Sequence, residues 1–352
     1  MTAFQRILVA TDLSAPARRA AERGAMLSRQ TQAALDLLHV ADLSPLDHLR
    51  QWLPGQARDM PQRVLEAAQA QVHALADLLR QRHGVAANTH VRTGAVTNEL
   101  VRIAKELQAD LLVCGARGES VVRHLLLGTT AQRILRTTPC PVLVVKQSPH
   151  EGYRRVLVPV DFSDASLGTL ALARRIAPGA ELVLLHAFEV PFEGHLRYAR
   201  VEEDILTQYR TVARQVATEK LEALRVQAGL ASEECHCIVQ YGDPALRTVE
   251  QEQDQDCDLI VMASTGKAPW PTCCWAASPS TCWPSRSATC WCRCRRVSPA
   301  RRSPRAVPAP VRSARPHRLR ETPRCSWGAK SRCHSPQPPC GCRRAQNARP
   351  GP

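Results

Sequence analysis

Residues 6–14 of this 352-residue chain read RILVATDLS, and residues 155–163 read RVLVPVDFS. An apolar run that closes on Asp and then offers a Ser to cap a helix therefore recurs after about 149 residues. Two more pairs keep nearly the same interval: LDLLHVAD at 35–42 against LVLLHAFE at 182–189, and ADLLVCGARG at 109–118 against CDLIVMASTG at 257–266. A repeat this long is a domain, not a turn of a solenoid. The chain is thus constrained to two tandem copies of one fold.

Within the first copy, short Leu- and Val-rich runs alternate with longer stretches of helical periodicity. The pattern predicts strands near 5–10, 35–40, 87–92, 110–114 and 141–145, and helices near 14–30, 60–83, 96–107 and 119–137. Strict alternation of strand and helix implies α/β architecture: two doubly wound, Rossmann-like parallel sheets with helices on both faces. Ligands of such sheets gather at the carboxyl ends of the strands, beside the point where strand order reverses. Asp12 and the loop beginning at Gly115 both fall there.

Charge divides the chain unevenly. Residues 269–352 hold 17 Lys and Arg against one acid, Glu321, a net +16, so the chain's formal +15 comes from there and the rest sums to −1. That segment also holds ten of the 15 Cys and 15 of the 26 Pro, and its only Leu, Ile, Met, Phe or Tyr is Leu319. Such a composition buries too little apolar surface to offset the entropy of ordering, so disorder is expected there. Arg-rich sequence of this kind attracts phosphates without reading them, and it holds no recognition module, so no specific nucleic-acid partner is expected. MTAFQRILVATDLS lacks the layout of a signal peptide, and no apolar run approaches a membrane span, so a cytoplasmic protein is expected. The Cys before residue 269 are odd in number and lack framework spacing, which fits reduced thiols. Cys235 and Cys237 alternate on the third strand of the second copy and share a face; ordinary thiols are expected there, since further metal ligands are not evident.

After the fourth strand comes GARGESVVRHLLLGTT: Gly115, two residues, Gly118, nine residues, Gly128, then Thr129 and Thr130. Glycines allow close backbone approach, and the helix N-terminus that follows adds unpaired N–H donors suited to phosphate oxygens. Arg117 or Arg123 can add a cation. Asp12 can accept hydrogen bonds from hydroxyls, or cap the helix behind it. The chain has no GxxxxGK[ST] loop, no GxGxxG after the first strand, no GxSxG elbow and no Ser, His and Asp arrangement. His39 and His186, each at the end of a second strand, read as structural. No catalytic residue and no metal ligand set is expected.

Gly-x2-Gly-x9-Gly-Thr after a fourth strand, with Asp closing the first, resembles the ATP-binding branch of the universal stress protein family. The resemblance runs over about 3–146 and again 153–266. It implies an adenine nucleotide, ATP with or without Mg2+, held by Ala10, Asp12 and Val40 together with Gly115, Gly118, Gly128, Thr129 and Thr130, with Arg117 beside them. It implies a stress-response regulator, at most a weak ATPase, with pairing through fifth strands in a homodimer or within one chain. Protein partners are not legible. The alternatives are an adenine-nucleotide hydrolase or transferase of the same fold, or a non-binding, chaperone-like member. The second copy retains Pro159, Asp161, Ala187 and Gly266, with Ala263 where the first copy has Gly115.

Beyond Gly266 the copies part. KAPWPTCCWAASPSTCWPSRSATCWC does not resemble VVRHLLLGTTAQRILRTTPCPVLVV. Shifting the reading frame by one nucleotide from about Pro269, with synonymous codons chosen where the code allows, converts CCWAASPSTCWPS to LLLGSVTQHVLAE, of which LLLGSVTQHVL aligns with LLLGTTAQRIL at 125–135 without gaps. Three segments follow: a complete domain at 1–147, a second at 153–268 lacking its last helix and fifth strand, and a frame-shifted tail at 269–352.

Overall fold

The computed structural model describes residues 3–44, 59–116, 129–190, 193–199, 201–263 and 288–292. Along β1 (Arg6–Ala10), Ile7 and Val9 face one side and Leu8 the other, and all three are fully buried. A strand with no polar face needs cover on both sides. One side is supplied by α1 (Ala15–Thr31) and α2 (Met60–His83), the other by α3 (Val96–Glu106) and α4 (Thr129–Thr137). In α1, Ala17, Ala20, Ala21, Gly24 and Ala25 form a small-residue face against the sheet. Helix α2 buries Ala68, Val72, Leu75 and Leu79 at helical spacing and ends on Gly84, whose φ of 69° lets its N–H reach Arg80 O at 2.9 Å.

The first copy is completed by β2 (Ala34–Ala41), β3 (Ala87–Thr93), β4 (Leu111–Gly115) and β5 (Val142–Val145). The second contains β6 (Arg155–Pro159), α5 (Ala165–Ile176), β7 (Glu181–Phe188), α6 (Glu193–Tyr198), α7 (Glu203–Gln227), β8 (Cys235–Tyr241), α8 (Pro244–Asp254), β9 (Leu259–Ala263) and β10 (Ala288–Cys292). Strand order is β3-β2-β1-β4-β5-β10-β9-β6-β7-β8 in one ten-stranded sheet. Every pairing is parallel except β5 with β10, which is antiparallel. The duplication reaches fine detail. Asp110 Oδ2 accepts from the amides of Gln5 and Arg6 at 2.7 and 3.0 Å, and Asp258 accepts from Arg154 and Arg155 at 2.9 and 3.1 Å, fastening β4 and β9 to the start of β1 and β6.

One expectation requires correction. The second copy does have a strand in the fifth position: Ala288–Cys292 runs parallel to β9, with Ala288 opposite Leu259 and Cys292 opposite Ala263. Apart from these five residues, 269–352 lies outside the described residues. The physical reason is that open edges on β5 and β9 present unpaired N–H and C=O groups, and a backbone ladder accepts any strand-forming run. ATCWC, with Thr and Trp, satisfies that requirement. Pairing through fifth strands takes place here within one chain. A counterpart to α4 in the second copy would fall among residues 264–287, outside the described set.

The copies are also clasped across the seam. The Arg23 guanidinium in α1 sits 4.1 Å from the centre of the Tyr153 ring and donates to Glu151 O at 2.8 Å. In return, Arg175 in α5 sits 4.1 Å from the centre of the Phe4 ring. Phe4 and Tyr153 occupy matching places ahead of β1 and β6, and both belong to one apolar core that runs through the two copies.

Replacing Arg23 or Arg175 by Ala is expected to lower unfolding free energy by about 1 kcal/mol each, read from urea midpoints. A Cβ added at Gly24 would lie 2.6 Å from Val9 Cγ2. Gly24→Ala should therefore destabilise by roughly 1–3 kcal/mol through overpacking, against the direction of helix propensity, in the same titration.

Candidate functional site

In the first copy the chain leaves β1 for β2 on one side, while β4 lies on the other. The strand order reverses between β1 and β4, and a crevice at their carboxyl ends follows. The turn there is built by its own short side chains. Thr11 N donates to Leu38 O at 2.9 Å, Leu13 takes a φ of 67°, and Leu13 N donates to Thr11 Oγ1 at 3.0 Å. Asp12 Oδ1 accepts from Ser14 N at 3.1 Å and from Ser14 Oγ at 2.6 Å. Ser14, not Asp12, caps α1, accepting from Ala17 N. The exposed Asp12 carboxylate is thereby oriented by the residue that starts the helix.

His39 Nδ1 lies 2.9 Å from Thr11 O. A carbonyl only accepts, so Nδ1 bears the hydrogen, and the imidazole rivets the turn to β2. Sequence reasoning placed His39 correctly as structural but missed its partner. The shared DLS and DFS turns, each about 25 residues before a strand-end His, were the available signal.

Behind the turn, Ala10 and Val40 are half-buried and pack on a buried cluster that includes Cys114 and Ala116. Burial pushes the Cys114 thiol up to about 12, so it acts as an apolar wall. Gly115 pairs with Val145 at the end of β4, and Ala116 N donates to Val145 O at 3.1 Å. Because β4 and β5 are parallel, α4 starts at this same edge, at Thr129, and Thr130 is exposed there. The structure thus brings Ala10, Asp12, Val40, Gly115 and the start of α4 to one rim. Arg117, Gly118, Arg123 and Gly128 lie outside the described residues.

The second copy repeats the turn with differences. Val160 N donates to Leu185 O at 2.8 Å, Phe162 has a φ of 57°, Ser163 N donates to Asp161 Oδ1 at 3.0 Å, and His186 Nδ1 lies 2.9 Å from Val160 O. Ser163 does not cap the helix as its sequence position suggested. Asp164 stands at that position, makes no side-chain capping bond, and the helix opens one residue later. Asp161 Oδ1 instead reaches Ser166 Oγ at 3.4 Å, inside the helix. Phe162, absent from the first copy, stacks 4.2 Å from the His186 ring, with Lys220 Nζ 5.9 Å from its own centre. Pro159 ends β6 and Ala187 lies near the end of β7, while Gly266 is outside the described residues.

The family model described as "Universal stress protein family" matches residues 3–146 and 152–270, well over half of the chain. The chain belongs to the universal stress protein family. A universal stress protein of Methanocaldococcus jannaschii is 28% identical over 149 residues, 42% of this chain and 85% of that protein. One from Synechocystis is 34% identical over 150 residues, 40% of this chain and 85% of that protein. Among solved structures, a universal stress protein from Archaeoglobus fulgidus aligns with a TM-score of 0.54 at 20% identity, covering 83% of this chain and 98% of its own. A share that large spans both copies, so the tandem arrangement is a fold found elsewhere in the universal stress proteins. No described helix is long and apolar enough to cross a membrane.

Burial pushes the His186 pKa below its ordinary 6.5, because desolvation disfavours the imidazolium. The unfolded chain therefore takes up this proton first as pH falls. The stabilisation from neutral His186 is complete above about pH 6.5 and is lost as pH drops through the lower folded value. Urea unfolding at a series of pH values should show a fall in stability between pH 7 and 5 that His186→Asn reduces.

Proposed function

We propose that the first copy of this universal stress protein binds an adenine nucleotide, ATP with or without Mg2+, and acts in the stress response as a nucleotide-dependent regulator in the cytoplasm. The observation that supports this most directly is the joining of half-buried Ala10 and Val40, exposed Asp12 and the start of α4 at one switch point. An apolar floor suits a purine ring. A carboxylate at its rim suits ribose hydroxyls or the adenine edge. Amide groups at a helix start suit phosphate oxygens, helped by Gly115, Gly118, Gly128 and the hydroxyls of Thr129 and Thr130, with Arg117 as a nearby cation. In this reading the nucleotide is held rather than turned over rapidly.

The second copy retains Pro159, Asp161 and Ala187, yet Phe162 lies over the His186 ring and Ala263 stands where the first copy has Gly115. We assign the bound nucleotide to the first copy alone. We also infer that residues after 268 derive from a shifted reading frame, which resequencing codons 266–272 tests directly: an unshifted gene would refute it.

Calorimetric titration with ATP should give one equivalent bound by the full chain. Asp12→Ala should weaken it by about tenfold or more, the loss of a charge-assisted hydrogen bond, and Gly118→Val should weaken it as well. Asp161→Ala should leave it unchanged. Absence of binding by the unaltered chain would refute the proposal, and rapid multiple turnover would reassign the protein as an enzyme.

A further inference from the structure

Helix α7 (Glu203–Gln227) has two apolar faces, and the sheet uses one of them. Leu206, Ala217, Leu221 and Leu224 are buried, and the helix covers β7 and the edge strand β8. Ile205, Tyr209, Val212, Val216 and Val226 form the other face and are between 43% and 65% exposed. At 100° per residue the centres of the two faces stand about 130° apart round the helix. The second face therefore points away from the sheet. Among the described residues, it holds most of the large apolar side chains left exposed.

The spacing of this face is regular. From Ile205 to Val216 the intervals are four, three and four residues, and the exposed Glu219, Ala223 and Val226 continue them as three, four and three. That is the a/d repeat of a left-handed coiled coil, kept over 22 residues. Isolated exposed apolar residues are ordinary, whereas a continuous stripe marks a contact surface. The first copy supplies an internal control in α2, where Val72 and Leu79 match Ala217 and Leu224 at an interval of 145 residues. At that interval Gln71 and Gln81 stand where the second copy has Val216 and Val226, and Ala67 where it has Val212. The fold is built without the stripe.

We propose that this stripe pairs with the same stripe of a second molecule of this protein, as two antiparallel helices about a two-fold axis. Charge selects the direction. Parallel helices would set Glu219 against Glu219 of the other molecule. Antiparallel helices with the axis between Val212 and Val216 bring the Val212 and Val216 pairs together at the centre, Ile205 against Ala223, and Tyr209 against Glu219. Glu219 Oε1 already accepts from Gln215 Nε2 at 3.2 Å, which leaves Oε2 to accept from the Tyr209 hydroxyl. The two Glu219 carboxylates then stand about 15 Å apart, beyond the screening length. On the flank Gln215 meets Gln215 and Gln208 meets Glu222, so no like charges are opposed.

The area is sufficient for a reversible dimer. A stripe of 22 residues is about 32 Å long, and pairing it removes roughly 1,200 Å2 in total, the lower end for a specific interface. A surface that complements itself closes as a dimer and does not propagate. Nucleotide binding plays no part in this contact.

Sedimentation velocity of the full chain, without nucleotide and with a reductant to prevent intermolecular disulfides, should show monomer passing to dimer between about 1 and 200 μM. Val212→Glu with Val216→Glu should weaken the dimer by about a hundredfold or more. The urea midpoint and circular dichroism should not change, because both positions are exposed in the single chain. Gln215→Glu and Gln215→Lys should each weaken the dimer by about threefold or more, and mixing the two variants should restore it, since Gln215 meets itself only across an antiparallel pair. A chain that stays monomeric throughout would overturn the proposal and leave the face to another segment of this chain or to an unlike partner. A dimer that survives both glutamates would overturn it by placing the contact elsewhere, and failure of the mixture to recover would overturn the antiparallel register.

Discussion

A parallel sheet that ends in open space has unsatisfied backbone groups along its last strand, and each copy of this chain meets that problem at its fifth strand. The solution is the antiparallel junction of β5 with β10, where Val144 faces Thr289 and Val142 faces Trp291. It converts two five-stranded halves into one sheet and, among the described strands, leaves β3 and β8 as the edges. The shared core follows from the junction, because α1 and α5 then lie on one face of a continuous sheet and bury Val145 and Val261 in the same cluster. The reciprocal placement of Arg23 over Tyr153 and Arg175 over Phe4 locks the seam on that face.

The nucleotide rim depends on the same construction at one remove. Asp12 and Gly115 are more than a hundred residues apart, and they become neighbours in the sheet order because β1 pairs with β4. Fixing β4 between β1 and β5 also fixes where α4 begins. The two copies then diverge in local chemistry on an unchanged frame. Ser14 caps its helix and Ser163 does not, Phe162 stacks where Leu13 only packs, and Cys235 with Cys237 replaces Ala87 with Thr89. Duplication freed the second copy to change its side chains while the backbone hydrogen bonds, such as those to Asp110 and Asp258, stayed in place.

Much of this was legible in the residues. Strands at 6–10, 34–41, 87–93, 111–115 and 142–145 follow from apolar runs whose period and β-branched content are local properties. The turn after β1 was legible as well, since Asp followed by Ser two residues later is a short-range hydrogen-bonding unit. The missing fifth strand was misjudged because ATCWC resembles nothing in VLVV. Sequence similarity is a poor guide at an edge, where the ladder asks only for an extended backbone.

The sequence by itself determined the tandem α/β plan, the strand-end carboxylates and the order of elements, because those depend on periodicity and on contacts within a few residues. Only the tertiary structure decided which strand closes β5, which histidine holds which carbonyl, and which arginine sits over which ring across the seam. Those partners lie far apart in the chain, or on a helix whose rotation is set by packing. No local pattern encodes the choice, and the sheet makes it by bringing whole elements into register.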